Sequence, residues 1–447
     1  MRVRHLALAF TLALPLQIAQ NALAAKASAL PYATMFISRH CARAPSASFT
    51  GGGPNMPTDR NDYVADPYPD FGAAPMMCTA RGRRIIHNQG VTLRDTFRPD
   101  TKFSFIADVD QRDIDTANDY RDGIGGNAQD AKVRVVADLF STMPKVCPYL
   151  DSSTAVDAEK RWIATLPRPK DFDNYVARLQ QVTGIGRVGP LANIKSGVSK
   201  TGTWYGLENT VADIMENFHL ESGAGIEVAW NRLEEGSEEY YKLMALRAYE
   251  FKGAFSPEYA RRYISNIMYR IGYVFDKVSS AYPNSPTTEF LVGHDTDIIT
   301  FGTVMDLAWN PRPLPVNSTT TSSSLRFDLF EASQLEHESP DVVHAAKLLG
   351  DQFIVQITYI YGTTMTDSGN LFQVPVTGPL VNDKGQVPLS AFLTQLRARI
   401  IKECTTNEAN YKEYSASMLT SIRERLGPLH TSLRGIFTDH TERHVRP

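Results

Sequence analysis

The stretch Met35-Phe36-Ile37-Ser38-Arg39-His40-Cys41-Ala42-Arg43-Ala44-Pro45 joins a short apolar run to a burst of charge. Met35, Phe36 and Ile37 make a strand candidate. A chain leaving that strand straight into Arg39, His40 and Arg43 sets two guanidiniums and one imidazole at its C-terminal end, and Pro45 stiffens the exit. Guanidiniums match oxyanions in a fork geometry and keep their charge at any working pH. An imidazole between them can act as a nucleophile toward an anion whose repulsion the arginines offset.

The same design recurs twice downstream. The strand candidate Phe103 to Val109 ends at Asp110-Gln111-Arg112, and Phe290-Leu291-Val292 runs into Gly293-His294-Asp295. Three strands that each end in chemically capable side chains predict an open α/β sheet with a ligand at its carboxyl edge. Helical spacing over 79–96, from Asp113 toward Gly123, and after Ser256-Pro257 (Tyr263, Ile264, Ile267, Met268, Ile271, Val274, Phe275) supplies the flanking layers. Leu325, Phe327 and Leu329 alternate as a half-buried strand, and Phe353 to Tyr361 forms another. Between 127 and 255 the texture changes to helical patterns around 155–166, 170–183, 208–220 and 226–250. The expected architecture is therefore α/β: a mostly parallel sheet flanked by helices, built from 26–126 and 256–447. A mostly helical module of 127–255 is inserted, with the site in the cleft between them. The tail beyond Cys404 reads as one helix over 407–426.

Of the 447 residues, 43% are hydrophobic and 21% charged, which suits a globular chain with more than one core. Arg2 and Arg4, the apolar run Leu6 to Ile18 and the small residues Asn21 to Ala25 follow the order of a secretory signal peptide, so 1–25 are set aside. No later run approaches the length of a membrane span. Without the leader the formal charge moves from −3 to −5, which gives nucleic acid and acidic membrane surfaces no general attraction. Cys41, Cys78, Cys147 and Cys404 are too widely spaced for a zinc-type pair and suit an oxidising compartment, periplasmic or secreted. Asn317-Ser318-Thr319 is a glycosylation sequon, relevant only in a eukaryotic source.

With these residues in view, the chain resembles the histidine acid phosphatases, whose signature is Arg-His-Gly-x-Arg-x-Pro. Thr79-Ala80-Arg81-Gly82 with Gly90 and Leu93-Arg94 is similar to that family's first helix. Asp108-Val109-Asp110-Gln111-Arg112 with Thr116-Ala117 and Gly123 is similar to the segment that supplies a third arginine, and Gly293-His294-Asp295-Thr296 to its His-Asp motif. The resemblance covers nearly the whole mature chain and implies a phosphoglycerate mutase-like core and no cofactor or metal. It also implies hydrolysis of a small phosphomonoester, with His40 forming a phosphohistidine, Asp295 protonating the leaving alcohol, and Arg39, Arg43, Arg112 and His294 holding the phosphoryl oxygens. Ser46, where many members carry Thr, is a further candidate phosphate contact. A Cys147–Cys404 bridge is implied by the same comparison, whereas Cys41 and Cys78 are left either paired or free.

Cys41 departs from the family's usual Gly, and a side chain there could press on the backbone or narrow the pocket mouth. A cysteine-phosphatase loop is disfavoured, because it needs an arginine at position 47 and that residue is Ala47. Two other readings compete: a metal-dependent phosphohydrolase using His294, Asp295 and Asp297, and an anion-binding protein whose chemistry Cys41 has spoiled. His87, His219, His337, His344, His430, His440 and His444 read as surface or helix histidines. For substrate, Ala47 stands where some phytases place Lys, so a general or sugar-phosphate phosphatase is favoured over a phytase acting on inositol hexakisphosphate.

Overall fold

The computed structural model describes residues 30–140, 153–200, 204–280, 286–362 and 370–406. Its strands are β1 (Ala33–Arg39), β2 (Lys102–Ala107), β3 (Val133–Val135), β4 (Gly197–Val198), β5 (Trp204–Tyr205), β6 (Thr287–Gly293), β7 (Ser324–Glu331), β8 (Phe353–Gly362), β9 (Leu371–Pro375) and β10 (Gln386–Pro388). The α-helices among the described residues are α1 (Ala80–Leu93), α2 (Gln111–Ile124), α3 (Ser153–Thr165), α4 (Phe172–Thr183) and α5 (Leu207–Ala224), followed by α6 (Glu238–Gly253), α7 (Pro257–Ser280), α8 (Asp295–Met305), α9 (Pro340–Leu349) and α10 (Leu389–Arg399).

Eight strands form one mixed sheet in the order β10-β8-β7-β1-β6-β2-β3, with β9 also paired to β8. The pairs β1–β6, β6–β2 and β2–β3 are parallel. Strand β7 opposes β1, and β8 opposes β7, so β8 runs the same way as the parallel set. The sheet is thus mostly parallel by direction, as the sequence predicts, with reversed strands on one side. Helices flank it, and α7, whose buried stripe includes Ile264, Ile267, Met268 and Ile271, packs into the large core on one face.

The register of the three central strands is locked by an aromatic ladder. Phe36 pairs with Phe290, and Phe290 with Phe105. Their rings stack at 4.2 and 5.1 Å between centroids. Such contacts contribute roughly 0.5–1.5 kcal/mol each beyond area burial. Opposite them, Ile37, Leu291 and Ile106 face the other core. A slip of one residue would exchange the two faces, so the positions where these strands end are fixed. On the Phe side, α1 and α2 pack backbone to backbone: a Cβ on Gly123 would lie 2.0 Å from the His87 carbonyl oxygen, and one on Gly90 2.7 Å from that of Tyr120.

Three expectations need revision. Strand β7 is buried on both faces, because its polar face is internally paired: Arg326 bridges Asp328, which also accepts from Thr34 Oγ1 at 2.7 Å. The helix expected over 226–250 begins only at Glu238. Gly225 caps α5 in the left-handed conformation, Ala229, Trp230 and Asn231 all take positive φ, and Glu221 accepts from the Ala229 N–H at 2.8 Å. Helices α9 and α10 and the hairpin β4–β5 had no counterpart in the sequence reading.

Helices α4, α5 and α6 close around a second apolar core holding Phe172, Leu179, Met215, Phe218 and Leu243. Cys41 is bridged to Cys78 with their Cα atoms 5.8 Å apart. Cys404 is also held in a disulfide. Its expected partner Cys147, the leader 1–25, the helix expected over 407–426 and His430, His440 and His444 lie outside the described residues. The Asn317 side chain accepts from the Trp309 N–H and the sequon's Ser318 and Thr319 are buried, an environment that does not favour a glycan. Among the described residues no helix is long and apolar enough to cross a membrane.

Candidate active site

Adjacent parallel strands β1, β6 and β2 end side by side, Arg39 opposite Gly293 and Ala107 opposite Val292. Two backbone hydrogen bonds carry the ladder past the strand ends: His40 N–H to Gly293 O at 3.0 Å and Asp108 N–H to Val292 O at 3.0 Å. The three motifs, far apart in the chain, are therefore brought together, and Arg39, His40, Arg43, Arg112, His294 and Asp295 line one cavity of about 290 Å³.

His40 is 3% exposed, and its Nδ1 lies 2.8 Å from the Cys41 carbonyl oxygen. A carbonyl only accepts, so Nδ1 carries the proton and Nε2 keeps its lone pair. Burial, then the charges of Arg112, Arg39 and Arg43, push the imidazole's pKa well below its usual value, which keeps the ring neutral in acid. The carbonyl that orients it is itself fixed. Cys41 N–H donates to Thr116 Oγ1 at 2.9 Å, and the Cys41 side chain turns into the apolar core to meet Cys78. Cys41 does not line the cavity, so the feared obstruction does not arise.

The arginines differ in their settings. Arg39 donates to Thr319 O at 2.9 Å, is ion-paired with Glu216 and lies 3.1 Å from Asp295 Oδ2. Burial disfavours its charge, but Asp295 and Glu216 outweigh that and raise its pKa. Among the described residues Arg43 has only the carbonyl of Ala44 as a hydrogen-bond partner, at 3.1 Å. Burial and the repulsion of Arg112 lower its pKa to about 9, the signature of a cation that an anion would relieve. Arg112, in the first turn of α2, pairs with Asp110 at 2.6 Å and donates to His294 Nε2. His294 is driven toward its neutral form by burial and by Arg112. Its ring meets that of His40 edge-on, 5.5 Å away.

Asp295 opens helix α8. Its Oδ2 is ion-paired with Arg39 and accepts from Arg247 at 2.9 Å, and its Oδ1 accepts the Thr296 N–H at 3.0 Å. Glu216 sits between Arg39 and Arg247 and is held well below the usual carboxylate range by both guanidiniums, although burial opposes this. Sequence reading missed Glu216 and Arg247. A signal existed for each: Asn209, Ala212, Asp213 and Glu216 form one helical stripe of α5 lining the cavity, and Arg247 follows buried Leu243 by one helical turn.

Ser46 is buried, but its Oγ accepts from Ser48 N–H at 3.1 Å and it lines a neighbouring depression rather than this cavity. Asp297 Oδ2 caps α8 by accepting the His294 N–H at 2.7 Å, which takes it out of the proposed trio with His294 and Asp295. Among the described residues the grouping with metal-ligand reach is instead His40, Asp113 and His294, whose donor atoms lie within 4.8 Å of one another. Arg112 already bonds His294 Nε2 there, and three guanidiniums oppose a further cation. His87, His337 and His344 are exposed. His219 is buried, accepting from Thr321 N–H at 3.1 Å, with burial lowering its pKa to about 3.

No protein-family description and no curated protein sequence matches the chain. Its fold does match solved structures. The apo phytase of Hafnia alvei aligns over 86% of this chain and 100% of its own, with TM-score 0.68 and 18% identity. Citrobacter braakii phytase aligns over 85% and 100%, with TM-score 0.68 and 18% identity. Klebsiella sp. ASR1 phytase aligns over 85% and 98%, with TM-score 0.66 and 16% identity. What the chain shares with these proteins at such identities is the fold.

Proposed function

We propose that this chain hydrolyses phosphomonoesters at acid pH through a covalent phosphohistidine on His40, as its resemblance to the histidine acid phosphatases implies. The observation that carries this reading is the Nδ1–H bond from His40 to the Cys41 carbonyl, which aims an unprotonated Nε2 into a cavity ringed by Arg39, Arg43 and Arg112. In the first step the Nε2 lone pair forms an N–P bond as the P–O bond to the alcohol breaks. The arginines, with His294, take up the charge spread over the equatorial oxygens. Asp295 gives its proton to the departing alkoxide. Because both guanidiniums hold Oδ2, that proton belongs on Oδ1. In the second step the Asp295 carboxylate takes a proton from water as its oxygen attacks phosphorus, and the N–P bond breaks to restore neutral His40 and release phosphate.

The guanidiniums supply the positive charge that a metal would bring, so the chemistry runs through the chain's own residues. The fold shared with phytases supports the reading, as does the Cys41 side chain lying outside the cavity. We further propose export to the periplasm or outside the cell, supported by the leader-like N-terminus and the Cys41–Cys78 bridge. The division into 26–126 with 256–447 and an inserted 127–255 is supported by the separate core of α4, α5 and α6. The test is phosphate release from p-nitrophenyl phosphate between pH 3 and 8 with a chelator present, for the wild type beside His40→Ala. Acid-optimal turnover that survives the chelator and vanishes in the variant is expected. Turnover lost to the chelator, or equal in both proteins, would overturn the mechanism.

A further inference from the structure

The cavity has two unlike halves. Arg39, Arg43 and Arg112 line it with His40 and form its cationic floor, and the rest of the lining is rich in aromatic rings: Phe49, Trp204, Tyr205, Phe251 and Phe255. These rings are braced from behind. Trp204 meets Tyr249 edge-on at 5.7 Å, Phe49 meets Tyr63 at 5.3 Å, and the Arg247 guanidinium lies 4.4 Å from the Phe251 centroid. Their polar neighbours in the lining are the carboxylates Asp213, Glu216 and Glu250, the amide of Asn209 and several hydroxyls. Glu250 accepts from Asn209 Nδ2 at 2.8 Å, while Asn209 Oδ1 is buried with no hydrogen-bond partner among the described residues. Beyond the floor the lining holds one further guanidinium, Arg60, which is already ion-paired with Asp213 and bonded to Asn217 and the Ser46 carbonyl. Among the described residues no lysine lines the cavity, and Lys200, on the turn after β4, is exposed and outside the lining.

Resting on the phosphatase reading above, we infer that this site takes a compound with a single phosphate on an uncharged ring. The floor neutralises one phosphate. A second or third phosphate on the same ring would be pressed against Asp213, Glu216 and Glu250 with no uncommitted guanidinium to meet it. Ring faces stack on aromatic walls, and a hydroxyl or amino edge can satisfy Asn209 Oδ1. The volume, about 290 Å³, lies at the small end of ligand pockets, which suits one ring and its phosphate.

The experiment measures kcat/KM of the full chain at one acid pH for 1-naphthyl phosphate, glucose 6-phosphate, glycerol 2-phosphate and myo-inositol hexakisphosphate. At least one ring monophosphate should exceed both of the last two by about tenfold, the size of one good stacking contact. A preference for the naphthyl ester identifies an aryl ring, and one for the sugar identifies a hydroxylated ring. Trp204→Ala, and separately the half-buried Tyr205→Ser, should raise KM for the preferred ring about tenfold while leaving glycerol 2-phosphate and inhibition by inorganic phosphate within about threefold. That unchanged inhibition shows the floor to be folded. Inositol hexakisphosphate turned over as well as the ring monophosphates, or both variants penalising every substrate equally, would overturn the inference. Failure to hydrolyse any of the four would overturn the phosphatase reading itself.

Discussion

Replacing Arg247 with methionine should weaken the fold and disable the site through one cause. Arg247 is 1% exposed, and its guanidinium reaches Glu216, Asp295 Oδ2 at 2.9 Å and Thr319 O at 3.0 Å. Methionine keeps much of the volume and removes the charge. Glu216 is then left with Arg39 alone in a setting where its side chain is 12% exposed, so solvent can do little to compensate. A unit pair about 4 Å apart at an effective dielectric near 20 is worth about 4 kcal/mol. Stranding one member of a buried pair typically costs roughly 3–5 kcal/mol. Urea unfolding of Arg247→Met should therefore give a stability lower by about that amount. Adding Glu216→Gln removes the stranded charge, and the double variant should recover most of the loss. Activity should not recover with it, because Asp295 still lacks one of its two anchors, and a misplaced acid costs about 10²-fold in kcat on a poor leaving group. A single variant within about 1 kcal/mol of the wild type, or a double variant no more stable than the single one, would refute this account of the network.

Three further outcomes are expected. The pKa of His40, followed by NMR, should lie well below the ordinary value of about 6.5 and move upward in Arg112→Ala, since that guanidinium is the largest charge holding it down; an unmoved titration would separate the two residues. Replacing Cys41 and Cys78 together with alanine frees a loop of 37 residues and should lower stability by about 4 kcal/mol, read from denaturant midpoints. Burial pushes Asp297 up to about 7, so between roughly pH 4 and 7 the folded chain holds a proton that the unfolded chain has released. The contribution of Asp297 to wild-type stability should fall across that window, by up to about 4 kcal/mol, and level off above it. Asp297→Asn keeps an acceptor for the His294 N–H and should not show this fall, so parallel stability curves for the two proteins would contradict the assignment.

What the sequence revealed of the site is what adjacency in the chain encodes. Arg39, His40, Arg43, Arg112, His294 and Asp295 each lie at or shortly after the end of a strand, and the parallel ladder makes neighbours of those strand ends. Glu216 and Arg247 come from helices whose approach to the sheet depends on packing far from the motifs, and locally they are marked only by helical spacing, Glu216 on a polar stripe and Arg247 one turn after Leu243. The same limit applies to Ala229, Trp230 and Asn231: three left-handed residues without a glycine among them are held by Glu221 and the loop's surroundings, against local propensity. Strand β7 was read as half-buried because its alternation is genuine. Burial of the polar face became possible only when Arg326, Asp328 and Thr34 met.

The aromatic ladder through Phe36, Phe290 and Phe105 separates what can vary in this protein from what cannot. On the proposed mechanism, His40, Arg112, His294 and Asp295 hang from three strands clamped in register, so their relative displacement is resisted by a whole core. The rest of the cavity lining, where the proposed substrate's alcohol part would sit, comes from the loop after Pro45, strand β5 and faces of α5 and α6, none of which belongs to that sheet. Substrate preference can thus drift, or be redesigned, by exchanging surface segments while the reacting atoms stay where they are.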